Sequence, residues 1–539
     1  MTLQQTYDFI VVGAGSAGAA AAARLSQDGQ HSVLLLEAGP LDTNIWTRLP
    51  MGVAKVLSQG KLLRHYFTEP DPQMKNRKIY WPRGWVVGGS STVNGMIWVH
   101  GTPREYDLWA QDGCAGWDYA SLLPWFKKIE AYATGDARYR GVDGPVSVTE
   151  FQPVDALPDA FLDSVAAAGV APRVKDYNAH GFGGSYLQFN TRNGVRCNTR
   201  MAYLDPAAGR PNLTLVTDAL VSRITLKDKR AQGVQAKVAG VEVSFQARRE
   251  VILCGGTFNS AQLLELSGIG NPSVLAAAGV PVLHALPGVG ENLSEHVYSP
   301  VVYRTKPGVS WNKSLSSVAG QLRLGARWLR HRDGPLSATS ITAQAFVPMQ
   351  PQGKDAELKI QIQQASTAGN RGAGKIELDA FDGVTVASFQ IRPRSRGHSH
   401  IQNANPSADP VMVSNHFTHS EDIEACLKAL KLSRQIAQSG PMASWLQEEL
   451  RPGPAQSSDE ALVDYLRATG ATAYHPVGTC RIGTDPQTSV VDAQLRVHGI
   501  VGLRVADGSV MPTIASTNTN AICIVIGERV ADFILRDLA

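Results

Sequence analysis

The stretch YDFIVVGAGSAGAAAAARLSQDGQHSVLLLEAG, residues 7–39, decides the fold class of this chain. Residues 7–12 are rich in β-forming side chains, residues 16–26 are rich in alanine, and residues 32–37 are again mostly apolar. Such a succession predicts a strand, a helix and a second strand. A βαβ unit of this size indicates an α/β fold, in which helices cover a largely parallel sheet.

Three glycines occupy the turn between the first strand and the helix in the spacing G-x-G-x-x-G: Gly13, Gly15 and Gly18. Their missing side chains allow a tight turn, the close approach of a pyrophosphate and close packing of the helix on the strand. The helix then begins at Ser16 and Ala17 with free backbone N–H groups, which bind phosphate. Ordinary glycine-rich turns also meet this spacing, but the complete βαβ context favours dinucleotide binding.

The second strand ends in Glu37, followed by Ala38. A carboxylate at this place accepts hydrogen bonds from the ribose of an adenosine and repels a phosphate on that ribose. The unit therefore predicts a cofactor with an unphosphorylated adenosine ribose, and it does not separate FAD from NAD.

The composition excludes several classes of protein. Charged residues make up 18% of the 539-residue chain, hydrophobic residues 43%, and the formal net charge is +4. No long run of like charge occurs, which argues against a nucleic-acid-binding protein and against a disordered tail protein. The length predicts two to four domains or one large discontinuous pair.

The sequence carries no signal for export, for a membrane span or for a metal centre. The N-terminus enters an apolar strand without a charged leader, and no stretch holds the roughly 20 apolar residues of a spanning helix. The six cysteines are scattered without a C-x-x-C pair. We therefore expect free thiols in a reducing compartment, no bound metal, and a cytoplasmic protein for which peripheral membrane contact stays open.

Five further segments resemble the glucose-methanol-choline (GMC) family of flavin-dependent oxidoreductases, in the family's order. They are WPRGWVVGGSSTVNGMIWVHG (81–101), GGTFNSAQLLELSGIG (255–270), GVGENLSEH (288–296), RPRSRGHSHIQNANPSADPVMVSNHF (392–417) and VADGSVMPTIASTNTNAICIVIGERVADFI (505–534). The departures are small: Ala261 replaces a proline or serine, Ser294-Glu295 replaces Gln-Asp, and His416-Phe417 replaces Tyr-Leu. The resemblance covers nearly the whole chain and implies FAD as the cofactor.

The resemblance also implies a set of cofactor-binding residues. They are Gly13, Gly15, Ser16, Ala17, Gly18, Glu37, Ala38, Arg83, Gly88, Gly89, Ser90, Asn94, Gly95, Met96, Val221, Asp507, Gly508, Asn518 and Thr519. Asp507 and Gly508 would contact the diphosphate and ribityl portion, although Asp507 also suits a strand-end turn. Some members bind flavin covalently through a histidine in the GGSS segment, but the aligned residue here is Val93. We therefore predict FAD held without a covalent bond.

The segment TAYHPVGTCRIG, residues 472–483, contains the candidate base His475. Histidine has an unperturbed pKa near neutrality, which suits proton transfer from an alcohol. In isolation such a histidine is more often a structural residue in a turn. The match of YHPVGTC to the family's catalytic histidine motif favours catalysis.

By the same resemblance, the partner of this base is Asn518. An amide cannot take a proton at neutral pH, but it can hold a substrate hydroxyl beside His475. Asn520 is a candidate flavin contact, and both asparagines also suit helix caps. A helix that begins near Thr519 or Asn520 would direct its positive N-terminal end toward the flavin, where reduction gathers negative charge.

The reaction implied by the resemblance is the oxidation of a primary aromatic or aliphatic alcohol to the aldehyde. His475 accepts the hydroxyl proton, Asn518 orients the oxygen, and a hydride passes to flavin N5. The electron acceptor is oxygen or a quinone or dye. Choline stays an alternative substrate, although no carboxylate can be placed opposite the flavin. Hydroxynitrile lyases of this family keep FAD and the histidine without net oxidation, so a lyase stays open as a second class.

The domain organisation implied by the resemblance is discontinuous. A Rossmann-like FAD-binding domain would comprise residues 1–155, 195–300 and 460–539, and an α+β substrate domain residues 156–194 and 301–459. Strand-like alternation in VVYRTKPGVSW (301–311) and FQIRPRSRGHSHIQ (389–402) predicts an antiparallel sheet in the substrate domain. The pocket is expected between this sheet and the flavin. Four aromatic residues are candidates for its wall or for the core: Tyr66, Phe67, Trp98 and Tyr474.

Overall fold

The computed structural model describes residues 5–350, 353, 355–368, 376–515 and 518–538. Two seven-stranded sheets organise this part of the chain. Buried apolar side chains form one large cluster around the first sheet and a second cluster between the other sheet and its helices. The predicted α/β fold is confirmed.

The opening unit folds as the sequence predicts. The strand Thr6–Val12 pairs in parallel with the strand Val33–Leu36, and the helix Ser16–Leu25 connects them. The alanines of this helix are buried. Their small side chains let the helix approach the sheet closely.

The first sheet continues this unit on both sides. Its parallel part is extended by an antiparallel meander that shares the long strand Val241–Leu253. In spatial order its strands are Leu213–Val216, Val33–Leu36, Thr6–Val12, Val241–Leu253, Arg230–Val238 and Ala219–Lys227, with Leu503–Val505 paired to Val241–Leu253.

The register of the parallel strands brings their carboxyl ends to one edge. Val12 lies opposite Leu36 and Leu253, and Leu253 lies opposite Val505. Open α/β sheets bind ligands outside the carboxyl ends of their strands. The residues that immediately follow these strands, among them Gly13, therefore gather where a dinucleotide is expected.

The second sheet is antiparallel, as predicted. In spatial order its strands are Leu446–Arg451, Val297–Thr305, Gly383–Gln390, Leu358–Gln363, Ile341–Val347 and Gly183–Tyr186, with Ala471–Thr472 paired to Val297–Thr305. The helices Leu157–Ala167 and Ser420–Ala437 pack on one face. The stretch 389–402 is not one strand: Gln390 ends the first, and His398–His400 forms a separate hairpin with Val411–Val413.

The remaining elements connect and cover the sheets. The other helices are Ile45–Arg48, Val53–Gln59, Pro103–Gln111, Tyr119–Ile129, Tyr177–His180, Asp205–Ala207, Gly256–Leu266, Pro272–Ala277, Asn312–Ser316, Val318–His331, Gly440–Trp445, Asp459–Thr469 and Asn520–Leu538. The small strand pairs are Leu63–Phe67 with Tyr80–Gly84, Glu130–Ala131 with Val146–Ser147, Thr149–Glu150 with Gln188–Phe189, Thr191–Arg192 with Val195–Arg196, Ile269–Gly270 with His284–Ala285, and Thr367–Ala368 with Glu377–Leu378.

Two of the predicted domain boundaries fall inside regular elements. Residue 300 lies in the strand Val297–Thr305, and residue 460 lies in the helix Asp459–Thr469. Both elements belong with the second sheet, since the strand pairs within it and Leu462 and Leu466 of the helix join its apolar cluster. These two boundaries would move to the ends of those elements, and the domain division itself stays a prediction.

The six cysteines are free thiols, as expected. In the described segments no helix is both long enough and apolar enough to cross a bilayer.

Candidate active site

A cavity of about 1200 Å³ lies between the carboxyl edge of the first sheet and the second sheet. It is larger than the usual ~300–1,000 Å³ of small-ligand pockets, which leaves room for a dinucleotide and a substrate together. Gly18 and Gly88 do not line it. The predicted site residues that do are Gly13, Gly15, Ser16, Ala17, Glu37, Ala38, Arg83, Gly89, Ser90, Asn94, Gly95, Met96, Val221, His475, Asp507, Gly508, Asn518 and Thr519.

The first glycine turn excludes side chains. Gly13 has a φ of +101°, and a Cβ there would lie 2.4 Å from the carbonyl oxygen of Cys254. A Cβ on Gly18 would lie 1.9 Å from the carbonyl oxygen of Gly13, so Gly18 permits helix packing without lining the cavity. Gly15 faces the cavity, with 3.9 Å between its Cβ position and the Cα of Gly89. The turn thus offers bare backbone to a pyrophosphate.

Glu37 is held by backbone donors at the edge of the sheet. Its Oε2 accepts the N–H of Ala14 at 2.9 Å, and its Oε1 accepts that of Gly39 at 2.8 Å. Burial raises the pKa of Glu37 to about 7, although these donors favour its charged form. Each carboxylate oxygen keeps a lone pair for a ribose hydroxyl. Ala38 and Val221 belong to the same cavity wall.

The loop predicted to lie beside the flavin is built around the short 3₁₀ helix Gly89–Thr92. Gly88 has a φ of +91°, and a Cβ there would lie 2.3 Å from Thr92 Oγ1. Gly88 therefore permits the fold of this loop without lining the cavity. Asn94 Oδ1 accepts the N–H of Met96 at 3.0 Å and a hydrogen bond from Arg196 at 2.8 Å. The oxygen of Asn94 is therefore occupied by the protein.

Arg83 joins this loop to the histidine segment. It donates to the carbonyl oxygen of Pro82 at 2.7 Å and to that of Tyr474 at 2.9 Å. Tyr474 has a φ of +69°, an uncommon value for a residue other than glycine. Arg83 therefore holds the backbone immediately before His475.

The helix Asn520–Leu538 begins at the cavity, close to where the sequence predicts it. The carbonyl oxygen of Thr519 accepts the N–H of Cys523 at 3.1 Å, as at a helix start. Ser16 Oγ donates to Asn520 Oδ1 at 2.7 Å, which ties together the N-termini of two helices. Asn520 Nδ2 is buried without a partner among the described residues, and a cofactor carbonyl would satisfy it. The residues therefore fit FAD.

Asp507 uses its carboxylate within the protein. It accepts the N–H of Gly256 at 2.8 Å, the hydroxyl of Ser260 at 2.5 Å and the N–H of Ser509 at 2.8 Å. The last bond caps the short 3₁₀ helix Gly508–Val510. The strand-end turn that the sequence allows is present, and the cofactor role of Asp507 stays a prediction.

The two candidate catalytic residues meet in the cavity wall. Asn518 Nδ2 lies 3.0 Å from His475 Nε2, and Lys359 Nζ donates to Asn518 Oδ1 at 3.0 Å. An ammonium group can only donate, so the lysine orients the amide with its oxygen toward Nζ and its NH₂ group toward His475. Asn518 therefore presents a donor to any oxygen held beside His475.

A relay through His296 sets the tautomer of His475. His475 Nδ1 lies 3.2 Å from His296 Nδ1, and His296 Nε2 lies 3.2 Å from the carbonyl oxygen of Ile391. A carbonyl only accepts, so His296 carries its proton on Nε2 and accepts from His475 with Nδ1. His475 is then protonated on Nδ1, and its Nε2 faces the cavity as an acceptor. This is the tautomer that a general base needs.

Glu295 fixes the backbone around the two histidines. Its oxygens accept the N–H of His475 at 2.9 Å, the N–H of His296 at 2.8 Å and the hydroxyl of Thr472 at 2.5 Å. Donor atoms of Glu295, His296 and His475 lie within 4.8 Å of one another. These atoms are engaged in the hydrogen bonds above, and the absence of a metal stays a prediction.

Both imidazoles are neutral at pH 7. Burial lowers the pKa of His296 to about 3. Burial, followed by the electrostatic influence of His296, Lys359 and Arg83, holds the pKa of His475 well below its usual value. His475 Nε2 is therefore unprotonated at neutral pH, which is the form that a general base requires.

Two residues of this site, His296 and Lys359, carry no motif that marks them as functional in the sequence. His296 ends the quoted segment 288–296, and Lys359 lies in the stretch LKIQIQ, residues 358–363. There, apolar residues alternate with Lys and Gln, which is the signal of a strand with one polar face. Of the four aromatic candidates, Tyr474 lines the cavity, Tyr66 and Trp98 are in the core, and Phe67 is 41% exposed.

Comparisons with known proteins give the family of this chain. The GMC oxidoreductase family model matches residues 7–298, and a second GMC oxidoreductase model matches residues 393–527. An oxygen-dependent choline dehydrogenase of Photobacterium profundum is 36% identical over 99% of this chain and 94% of its own. An oxygen-dependent choline dehydrogenase 1 of Chromohalobacter salexigens is 38% identical over 99% of this chain and 95% of its own. In structure, pyridoxine 4-oxidase from Mesorbium loti has a TM-score of 0.87 and 28% identity, covering 97% of this chain and 98% of that one.

The glycine turn, the buried carboxylate after the second strand and the histidine and asparagine of the cavity wall all lie within or beside the matched segments. The chain therefore belongs to the GMC oxidoreductase family and is an FAD-dependent oxidoreductase that acts on CH–OH donors.

Proposed function

We propose that the chain oxidises a primary alcohol to the aldehyde with His475 as the general base and Asn518 as the donor that positions the hydroxyl. The observation that carries this proposal is the 3.0 Å approach of Asn518 Nδ2 to His475 Nε2 in the wall of the cofactor cavity. An alcohol oxygen within hydrogen-bond reach of both atoms would replace their mutual contact, donating to His475 Nε2 and accepting from Asn518 Nδ2. Orientation of this kind is a large part of catalysis at such sites.

The proton and the electrons leave the alcohol by separate routes. When bound, FAD supplies a two-electron acceptor for the hydride of the carbinol carbon. His475 Nε2 takes the hydroxyl proton, and Asn518 Nδ2 holds the oxygen while it becomes a carbonyl. The resulting imidazolium keeps its Nδ1–H donated to His296 Nδ1, whose own proton stays on the Ile391 side.

FAD in this proposal is held without a covalent bond. The side chain aligned with the flavin-linking histidine of some relatives is Val93, which has no nucleophilic atom and lines the cavity. Acid precipitation should leave the yellow colour in the supernatant. Colour that stays with the protein would contradict this part of the proposal.

The electron acceptor is proposed to be oxygen or a quinone or dye. After an anaerobic reduction by substrate, rapid recolouring in air with stoichiometric peroxide would identify an oxidase. Recolouring only on addition of a quinone or dye would identify a dehydrogenase.

The test of the reaction is flavin bleaching in the absence of oxygen. A panel of benzylic, aliphatic and amino alcohols and hydroxy acids is added to the wild type and to His475→Ala. We expect at least one alcohol to bleach the wild-type flavin, and His475→Ala to slow bleaching by roughly 100- to 10,000-fold while retaining FAD. The matched control is His419→Ala, because the His419 side chain is 53% exposed and outside the cavity.

Wild-type rates in His475→Ala would refute the role of the base. Cyanide release from mandelonitrile without bleaching by any alcohol would favour the lyase class. Choline belongs in the panel because the curated relatives described above are named choline dehydrogenases.

A further inference from the structure

Lys359 is a buried cation where the second sheet lines the cavity, next to Asn518. The strand Leu358–Gln363 turns Leu358, Ile360 and Ile362 toward the helices, and Lys359, Gln361 and Gln363 toward the cavity. Lys359 is 0% exposed. Its Nζ lies 5.7 Å and 5.5 Å from the ring centres of two phenylalanines. This ammonium group therefore sits in an aromatic and amide environment with Asn518 Oδ1 as its hydrogen-bond partner.

No carboxylate of the described cavity wall neutralises this lysine. The acidic side chains that line the described part of the cavity are Glu37 and Asp507. Both carboxylates are held by donors at the edge of the first sheet.

Glu295, the carboxylate beside the histidines, is not available either. Its oxygens accept two backbone N–H groups and one hydroxyl, and it does not line the cavity. Burying an ammonium group without a counter-charge is costly unless a ligand supplies one. Burial alone accordingly lowers the pKa of Lys359 to about 7.

A quaternary ammonium substrate would add a second cation to this site. Recognition of such groups needs a carboxylate or an aromatic cage free of competing cations, and like charges brought together disfavour binding. A carboxylate on the substrate would instead give Lys359 a charge-assisted hydrogen bond, which is stronger than a neutral one.

We propose that the substrate of this site is an alcohol that also carries a carboxylate, that Lys359 binds the carboxylate, and that choline is not a substrate. The inference rests on the proposed alcohol oxidation. Because Lys359 Nζ and His475 Nε2 both contact the amide of Asn518, the carboxylate and the hydroxyl are separated by a short spacer of a few atoms. Lys359 is thus the residue that decides the charge of the substrate.

The test uses three substrates of one formula, HO–CH₂–CH₂–X. In 3-hydroxypropanoate X is a carboxylate, in 3-hydroxypropanamide it is a neutral amide of the same shape, and in choline it is a quaternary ammonium. The wild type, Lys359→Met and Lys359→Arg are compared, with Lys227→Met as control because Lys227 is exposed and does not line the cavity. Methionine keeps the length of the side chain without its charge.

We expect the wild-type kcat/KM to be highest for the carboxylate and lowest for choline. Lys359→Met should lower kcat/KM for the neutral amide as well, because Lys359 also orients the amide of Asn518. For 3-hydroxypropanoate it should lower kcat/KM by roughly a further 10- to 100-fold, the scale of a hydrogen bond to a charged group. The ratio of kcat/KM for 3-hydroxypropanoate to kcat/KM for 3-hydroxypropanamide should fall by this further factor, and Lys359→Arg should retain the preference for the carboxylate. A wild type that prefers choline would overturn the proposal. An equal loss for all three substrates would also overturn it, because the lysine would then act on the reacting oxygen.

A binding experiment separates this proposal from the reaction itself. The holoenzyme is titrated with propanoate and with tetramethylammonium, which lack the hydroxyl, and the flavin absorbance is followed. Propanoate should perturb the wild-type spectrum, and its affinity should be at least 10-fold lower for Lys359→Met. Tetramethylammonium should bind the wild type no more tightly than it binds Lys359→Met. Propanoate binding that is equal in both proteins would refute the role of Lys359. If no alcohol bleached the flavin, the oxidation would fail while this titration still decided the charge preference.

Discussion

Replacing His296 by phenylalanine is expected to lower kcat by roughly 2- to 13-fold with little change in KM and with FAD retained. His296 is fully buried, and its ring lies 5.1 Å from that of Phe389, so a phenylalanine fits the same space. The change removes the acceptor for His475 Nδ1–H. His475 can then carry its proton on either nitrogen, and the tautomer with the proton on Nε2 cannot accept one from the alcohol.

The magnitude follows from one neutral hydrogen bond. Such a bond stabilises the reactive tautomer by a net free energy of about 0.5–1.5 kcal/mol. Since about 1.36 kcal/mol corresponds to a factor of ten in rate, its loss corresponds to roughly 2- to 13-fold. His296 contacts no substrate atom in the proposed geometry, so binding should be nearly unchanged. The loss should therefore be smaller than the one expected for removal of His475 itself.

The assay is stopped-flow bleaching of the flavin under anaerobic conditions, with the FAD content of each variant measured from its visible spectrum. The matched variant is His296→Asn, because Oδ1 of asparagine takes about the place of Nδ1 and can accept from His475. We expect His296→Asn to recover most of the rate. A rate equal to that of the wild type in His296→Phe would refute the relay, as would an asparagine variant no faster than the phenylalanine variant.

Three further outcomes are expected. Gly13→Ala should lose most of its FAD, measured as flavin absorbance per protein, because its Cβ would lie 2.4 Å from a backbone oxygen. The control Gly29→Ala, with nothing within 4 Å of its Cβ, should retain FAD. Equal loss in both variants would contradict the role of the Gly13 turn in FAD binding. Arg140→Leu should destabilise the holoenzyme by about 3–5 kcal/mol in a denaturant titration, since it removes the cation that pairs with the buried carboxylates of Glu130 and Asp176. The control Arg138→Leu removes an exposed ion pair with Asp136 and should have no measurable effect. The kcat/KM for 3-hydroxypropanoate should fall as pH rises through about 7, where Lys359 loses its proton in the free enzyme. The kcat/KM for 3-hydroxypropanamide should not fall there, because the histidines facing the lysine are already neutral. A parallel fall for both substrates would implicate another group.

Much of the cofactor half could be predicted because its signals are local. The period of the apolar residues and the glycine spacing after the first strand lie within about 30 consecutive residues. Together they indicate a βαβ unit without reference to distant parts of the chain. The start of the C-terminal helix at Asn520 follows from a neighbouring motif in the same way. The assignment of His475 needed more, since a single histidine in a turn has no local signature of catalysis, and the family resemblance supplied it.

The chemistry around that histidine was decided by tertiary structure alone. His296 and His475 are 179 residues apart and meet because Val297 pairs with Thr472, and Lys359 and Asn518 are 159 residues apart and meet across the cavity. Strand pairing and burial bring such residues together, and no local period encodes which distant strand will be the neighbour. The local sequence by itself determined the α/β fold and a dinucleotide-binding turn, and the family resemblance of the sequence indicated FAD and the candidate base. Only the folded chain determined the tautomer of that base, the orientation of Asn518 and the charge of the surface that receives the substrate, because each depends on contacts between segments far apart in the chain.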